Sequence, residues 1–319
     1  VTTITLPAGF APSFVHTTQN DLVYVAEANA SDSALAGQVS VVSVSGNVVS
    51  RTIAVGGNPV ALAETPDTRK LYAVNQASGT VTSINTIDGS INAAISTGTS
   101  PVWAVARSDS QRLYVLNRDD GTVSTIDTNT DQVLGSPSVG AGADFMTLDR
   151  THNRLYVTNP LANTLSVLDT TADPAAVVMT IPVPASPMSV AALPDGSRVY
   201  VASEVTGGST ISPQVTVLNA GDGTVRTTIP LTASAASCDP AARFRLFAVA
   251  ANDSSRVYVG NCDAGSTAVI RTTPNTTPDN NQSADQLVLD IKAPVSSLPP
   301  AEQGGTPPPQ NPVFILAGP

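Results

Sequence analysis

Basic side chains are scarce in this chain. Its 319 residues include only 15 Lys and Arg, and just two of these, Lys70 and Lys292, are lysines. Charged residues make up 13%, and the net charge is −10 with a pI near 4.5. Phosphate recognition needs a basic field, so anionic membranes are poor partners and no nucleic acid is expected to bind. No apolar run reaches the length of a membrane span, so membrane insertion is not expected either. Histidine is limited to His16 and His152, and there are three methionines. Haem, copper and nickel sites draw on clusters of those residues, so no cofactor and no metal is expected. The Gly-x-Ser-x-Gly elbow of the hydrolases is missing. The two histidines fall in separate turns and read as surface or structural residues. With no convergent acid–base group, no catalytic residue is assigned and the chain is expected not to be an enzyme. Aromatics are only 4% against 41% hydrophobic residues. The core must therefore be built from Val, Ala, Leu and Ile, which suit closely stacked sheets.

Cysteine is also rare. Cys238 and Cys262 fit no common zinc pattern, because a pair would need two more ligands and neither histidine is near in sequence. One disulfide is expected, with two free buried thiols as the alternative. The chain opens Val1-Thr-Thr-Ile-Thr-Leu6 without an initiator methionine. It reads as a mature chain whose export signal has been removed, a shortened chain being the other reading. A neutral surface of Ser, Thr, Asn and Gln agrees with a secreted, periplasmic or cell-surface location.

What the chain does have is a repeat. All six tyrosines stand in one short phrase: Leu22-Val-Tyr24-Val, Lys70-Leu-Tyr72-Ala, Arg112-Leu-Tyr114-Val, Arg154-Leu-Tyr156-Val, Arg198-Val-Tyr200-Val and Arg256-Val-Tyr258-Val. The intervals are 48, 42, 42, 44 and 58 residues. A period in the low forties with strand-like phrases matches a β-propeller blade. In the second repeat, Pro59–Ala63, Lys70–Val74, Thr80–Ile84 and Ser90–Ile95 read as four antiparallel strands. Turn chemistry separates them at Thr65–Arg69, Ser78-Gly79 and Asp88-Gly89. The expected fold is all-β.

Residues 156–159 spell Tyr-Val-Thr-Asn, with variants at 72–75, 114–117 and 258–261, and Gly-Thr-Val-Ser-Thr-Ile-Asp follows at 121–127. Over roughly residues 11–295 the chain resembles the YVTN family of β-propeller repeats, in particular the YncE-like and surface-layer propellers. That resemblance implies an exported, seven-bladed β-propeller. Blades one and five depart from it, carrying Glu27 and Ser203 in place of the Asn. Six full four-stranded blades leave two orphan segments, residues 1–7 and 311–317. These are expected to close the ring as an incomplete seventh blade built from both termini, with 298–310 as a Pro-rich linker and 1–319 as a single domain. The repeated Tyr is expected to pack its ring between sheets and to reach a polar loop with its hydroxyl. The Asn at the strand end can bond its own backbone and tolerate a left-handed turn. The basic residue two places before Tyr reads as an exposed turn-end charge. Asp119-Asp-Gly121, Asp195-Gly196 and Asp222-Gly223 read as hairpin turns rather than calcium loops.

Insertions at 27–37, 203–214 and 232–243 fall on one face of the expected blades, as do both cysteines. The long Thr/Asn/Pro-rich stretch 272–285 falls on the opposite face. A scaffold that lengthens its loops on one face presents a surface. Trp103 and Phe145, at the starts of first strands, are candidate binding residues there, with ordinary packing as the alternative. Arg118, Asp119 and Glu204 complete the candidate set. The functional expectation is an exported, non-enzymatic propeller that binds a protein or glycan at the cell envelope. Two alternatives stay open: a subunit of a surface layer or filament that self-assembles through the thin blade, and a lactonase-like hydrolase.

Overall fold

A computed structural model describes residues 3–18, 21–207, 210–235, 238, 244–277 and 280–292. Among them there is no helix, and the strands form six four-stranded antiparallel sheets. The first comprises Phe10–Thr17, Leu22–Asn29, Ala36–Ser43 and Val48–Gly57. The second comprises Pro59–Glu64, Lys70–Asn75, Thr80–Asn85 and Ile91–Ser96, and the third Pro101–Ala106, Arg112–Asn117, Thr122–Asp127 and Gln132–Gly135. Phe145–Asp149, Arg154–Asn159, Thr164–Asp169 and Ala176–Pro182 form the fourth. The fifth is Pro187–Ala192, Arg198–Gly207, Thr210–Asn219 and Val225–Pro230, and the sixth Leu246–Ala250, Arg256–Asn261, Ser266–Arg271 and Gln286–Lys292. Each sheet is a meander in chain order, which is the blade expected from the repeat. Two compact units result: Val1–Leu148 with Val167–Met179, and Asp149–Ser166 with Thr180–Pro319.

Strand position within the blade follows from composition. Middle strands are apolar and short-chained, as in Lys70–Asn75, and are buried almost throughout. Fourth strands such as Ile91–Ser96 face solvent along most of their length. In the first unit Tyr24, Val39, Ile53, Leu62, Leu71 and Ile84 belong to one core cluster. In the second, Tyr200, Val215, Ile229, Leu246 and Val257 do the same. Burying each such Val, Leu or Ile side chain contributes roughly 1.5–3 kcal/mol.

The repeated tyrosine does what its amphipathic ring suggests. Tyr24, Tyr72, Tyr114, Tyr156 and Tyr200 are all buried, while Tyr258 is half-buried. The hydroxyl of each of four reaches the turn between third and fourth strands of the next sheet. Tyr72 donates to the Asp131 carboxylate at 2.9 Å, Tyr114 to the Thr170 carbonyl at 3.4 Å and Tyr156 to the Ala220 carbonyl at 3.4 Å. Tyr200 donates to the Asp285 carboxylate.

The basic residue two places earlier corrects an expectation: it is not an exposed turn-end charge. Lys70 Nζ donates to the Thr128 carbonyl at 2.6 Å and to Asp131 at 2.7 Å. Arg112 pairs with Asp127 at 3.1 Å and Asp173 at 2.6 Å. Arg154 donates to the Ala220 and Gly221 carbonyls, and Arg198 to the Thr272 carbonyl and Asp285. The side chains of Lys70, Arg112 and Arg198 are only 23%, 14% and 13% exposed. Base and tyrosine thus form a two-pronged latch from one blade to the next. Sequence separations of about sixty residues or more hid it.

The Asn of the phrase meets the expectation only in part. Its backbone is not left-handed at 75, 117, 159 or 261. Asn75 Nδ2 donates to the hydroxyls of Thr80 and Thr82, and Asn117 Nδ2 to those of Thr122 and Ser124. The buried amide N–H groups thus tie the second strand to the third, while Asn75 Oδ1 and Asn117 Oδ1 are buried without a hydrogen-bond donor. Asn159 does bond its own backbone, accepting from the N–H groups of Leu161 and Ala162. In the first blade Glu27 fills the same role, accepting from Gln38 Nε2 at 3.0 Å.

The Asp-Gly turns are hairpin turns. Gly89, Gly121, Gly196 and Gly223 all have positive φ. At Gly121 a Cβ would lie 2.1 Å from the backbone of residues 140 and 141, so no side chain fits. The insertion at 203–214 is a strand extension rather than a loop: Glu204 pairs with Pro213 and Gly207 with Thr210. Ser234–Ala235 adds to its far end, opposite Ile211 and Thr210. The 272–285 insertion carries a small hairpin, Asn275–Thr277 against Asn280–Gln282. Residues 3–7 belong to no strand. The 298–310 linker and the 311–317 closing segment lie outside the described residues.

Candidate binding site

One position recurs with the same hydrogen bond in four of the six blades. It follows the last residue of the phrase, and its N–H donates to the carbonyl of the residue preceding the first strand. Gln76 donates to Asn58 at 2.9 Å, Arg118 to Ser100 at 3.0 Å, Glu204 to Ser186 at 3.0 Å and Cys262 to Arg245 at 2.9 Å. The backbone hydrogen bond is the same each time; the side chain is neutral, basic, acidic or a disulfide-bonded cysteine. A constant frame with a changing side chain is where a repeat scaffold diversifies its surface.

In the first unit these side chains link into a row. Asn58 Nδ2 donates to Gln76 Oε1 at 2.9 Å, and Gln76 Nε2 donates to Ser100 Oγ at 3.0 Å. The Arg118 guanidinium donates to the same Ser100 hydroxyl at 3.3 Å and pairs with Asp144 at 3.7 Å and Asp119 at 3.4 Å. Asn58 and Ser100 hold φ of 50° and 56°, which turns the chain sharply before Pro59 and Pro101. Beside this row lies an open cleft of about 430 Å³. Asn58, Gln76, Ser100 and Asp119 line it, with Ala77 and the backbone of Gly79 and Gly98. Asp120 closes one edge by accepting the Thr99 N–H at 2.6 Å, and that hydrogen bond holds its carboxyl below the usual range.

Trp103 and Phe145 are brought together, with ring centroids 5.0 Å apart, and Phe14 meets the indole edge-on at 5.5 Å. Trp103 is 9% and Phe145 5% exposed. The trio therefore packs as an apolar cluster rather than offering an open stacking platform. Of the residues singled out in sequence, Asp119 lines the cleft and Arg118 ties its edge. Asn58, Gln76 and Ser100 were missed. Their only sequence signal is positional: Asn58 and Ser100 precede the first-strand prolines, and Gln76 stands after Asn75 as Arg118 does after Asn117.

Glu204 belongs to the second unit. It is 6% exposed, with Arg245 at 3.5 Å. The Arg245 guanidinium also donates to both oxygens of Asp263, at 2.8 and 3.0 Å. Burial pushes the Glu204 carboxyl up; Arg245 pulls it down, and Asp263 adds to the rise. Asp263 further accepts the Cys238 N–H at 3.0 Å. The histidines stand apart from both groups: His16 pairs with Glu64 at 3.6 Å, and His152 with Asp149 at 2.9 Å.

Cys238 and Cys262 are joined in a disulfide, with Cα atoms 5.6 Å apart. Such a bond belongs to an oxidising, non-cytosolic compartment. The sequence separation is 24, and in the chain-entropy model closing that loop contributes about 3 kcal/mol. Cys262→Ser is accordingly expected to lower the melting temperature of the second unit. An unchanged melt on reduction would show that the bond constrains nothing.

No family profile matches the sequence, and neither does any curated protein. Solved structures do match. A Bacteroides uniformis protein assigned as a 6-phosphogluconolactonase aligns with TM-score 0.63 at 14% identity, covering 88% of this chain and 85% of its own. The Cps50 (Swd1) β-propeller domain of Myceliophteria thermophila aligns with TM-score 0.60 at 11% identity, covering 91% and 89%. A chain of the mitotic checkpoint complex aligns with TM-score 0.64 at 14% identity, covering 81% and 76%. Six meandering four-stranded sheets and these likenesses define the fold as a β-propeller. At such identities the likeness extends to the fold alone.

Proposed function

We propose that this chain is an exported, non-enzymatic β-propeller of the YVTN-repeat type that binds a glycan or a protein at the cell envelope. One observation carries the reading. At a position whose backbone hydrogen bond repeats in four blades, the side chain changes, and in the first unit one of these side chains, Gln76, lines an open, hydrogen-bonding cleft while the next, Arg118, ties its edge. The disulfide supports export. The same proposal includes seven blades, the last assembled from residues 1–7 and 311–317, within a single domain.

Co-sedimentation with purified cell-envelope material tests the reading. The protein is expected to pellet with the envelope. Protease treatment of that material should abolish binding if the ligand is protein, and periodate oxidation should abolish it if the ligand is glycan. A protein that stays in the supernatant throughout, yet opens simple lactones with turnover, would replace this reading with the hydrolase. Filaments or sheets formed by the protein alone would replace it with the structural subunit.

A further inference from the structure

We propose that the cleft bounded by Asn58, Gln76, Ser100 and Asp119 is a binding site for a neutral glycan, gripped through its hydroxyl groups. This deepens the binding reading above and rests on it. The cleft, about 430 Å³, lies in the size range of small-molecule sites. Its side chains are amides, hydroxyls and a carboxylate, and the only aliphatic one is the methyl of Ala77. Protein partners are held chiefly by large apolar or aromatic anchors seated in pockets, and this lining offers no seat for one. A sugar needs the opposite: closely spaced donors and acceptors for adjacent hydroxyls.

The hydrogen-bond inventory supplies them. An amide carries two donor hydrogens and a two-lone-pair acceptor, and a carboxylate only acceptors. Gln76 uses one donor on Ser100 and one acceptor site on Asn58, and Asn58 uses one donor on Gln76. Each amide therefore keeps unused hydrogen-bonding capacity, and both residues line the cleft. Asp119 is exposed, and one of its oxygens engages Arg118. The paired oxygens of a carboxylate match the spacing of a vicinal diol.

Charge decides against an acidic sugar. Arg118 already spans Asp119 and Asp144, and Asp120 stands beside the cleft as a second carboxylate. Another anion would meet an uncompensated negative rim. The frame is also rigid. A Cβ on Gly98 would lie 2.7 Å from Asp120 Oδ2 and 2.8 Å from Asn117 Cγ. Backbone and side chains are thus packed as closely as glycine allows, and a pre-organised site loses less ordering entropy on binding.

The test begins with an array of neutral hexose and N-acetylhexosamine oligosaccharides alongside uronic-acid oligosaccharides. Calorimetry on the best neutral binder follows, with wild type, Asp119→Ala and Gln76→Ala. Neutral sugars are expected to bind. Asp119→Ala, an exposed change that leaves the fold intact, should weaken binding tenfold or more, and Gln76→Ala likewise. No neutral sugar bound, a preference for uronic acids, or unchanged affinity in Asp119→Ala would each overturn the proposal. The envelope assay separates the two levels. If wild type and Asp119→Ala co-sediment equally with the envelope, the cleft assignment fails and envelope binding stands. If wild type does not co-sediment at all, envelope binding itself fails.

Discussion

Replacing Asp131 with alanine is expected to destabilise the first unit by about 3 kcal/mol, although Asp131 lies in a turn. The turn is the receptor of the latch. Tyr72 is fully buried and Asp131 only 8% exposed. Removing the carboxylate takes the acceptor from the Tyr72 hydroxyl, which keeps the Ser83 hydroxyl as a neighbour, and takes the counter-charge from Lys70 Nζ, 2.7 Å away. A buried donor left unsatisfied costs about 1–3 kcal/mol, and breaking a buried ion pair about 3–5 kcal/mol. Lys70 keeps 23% of its side chain in solvent and a bond to the Thr128 carbonyl, so the lower end applies. For a unit of this size the melting temperature should fall by roughly 6–12 °C. Lys70→Met should cost less, because it leaves the tyrosine bond intact. The double variant Tyr72→Phe with Asp131→Ala should recover part of the loss, since the hydroxyl that lost its acceptor is gone as well. A melt of Asp131→Ala within a degree of wild type would show that the blades are held by apolar packing alone.

The latch also shows what could be read in the sequence and what could not. Tyr72, Tyr114, Tyr156 and Tyr200 announced themselves by position, because every blade needs an amphipathic ring in the same place. Strand phrases and Asp-Gly turns were legible for the same reason: they follow from local chemistry repeated in each blade. The acceptors were not legible. One blade uses the Asp131 carboxylate, the next the Thr170 carbonyl and another the Ala220 carbonyl. A carbonyl belongs to every residue, so no sequence marks it, and a basic residue at a strand start looks the same whether solvated or latched. The cleft was half legible. Arg118 and Asp119 could be singled out by charge on a turn. Asn58 and Gln76 come together because antiparallel pairing within one blade sets the first-strand start beside the second-strand end, and Ser100 joins them from the next blade. Trp103 was singled out for its rarity, but its burial against Phe14 and Phe145 depends on three separate strands.

Above about pH 10 the protein is expected to unfold cooperatively, with tyrosine ionisation and loss of sheet coinciding. Burial pushes the hydroxyls of Tyr24, Tyr72, Tyr114, Tyr156 and Tyr200 up from the ordinary tyrosine value. At Tyr72 and Tyr200 the neighbouring carboxylates Asp131 and Asp285 add to the rise. The folded value thus lies above the unfolded one. Below the unfolded value, near pH 10, both states hold the proton and the full stability is present. As pH rises further, the unfolded chain releases protons that the native state retains. Stability then falls by about 1.4 kcal/mol per pH unit for each such tyrosine. With five acting together the loss approaches about 7 kcal/mol per unit, comparable to the whole stability of a typical domain. Tyrosinate absorbance and far-ultraviolet dichroism, followed from pH 9 to 12, should change in one shared transition. Tyr114→Phe should make the pH dependence shallower by one tyrosine's share. Gradual ionisation of these five tyrosines near pH 10, with the dichroism unchanged, would mean that water reaches the hydroxyls between the sheets and that the latch is open in solution.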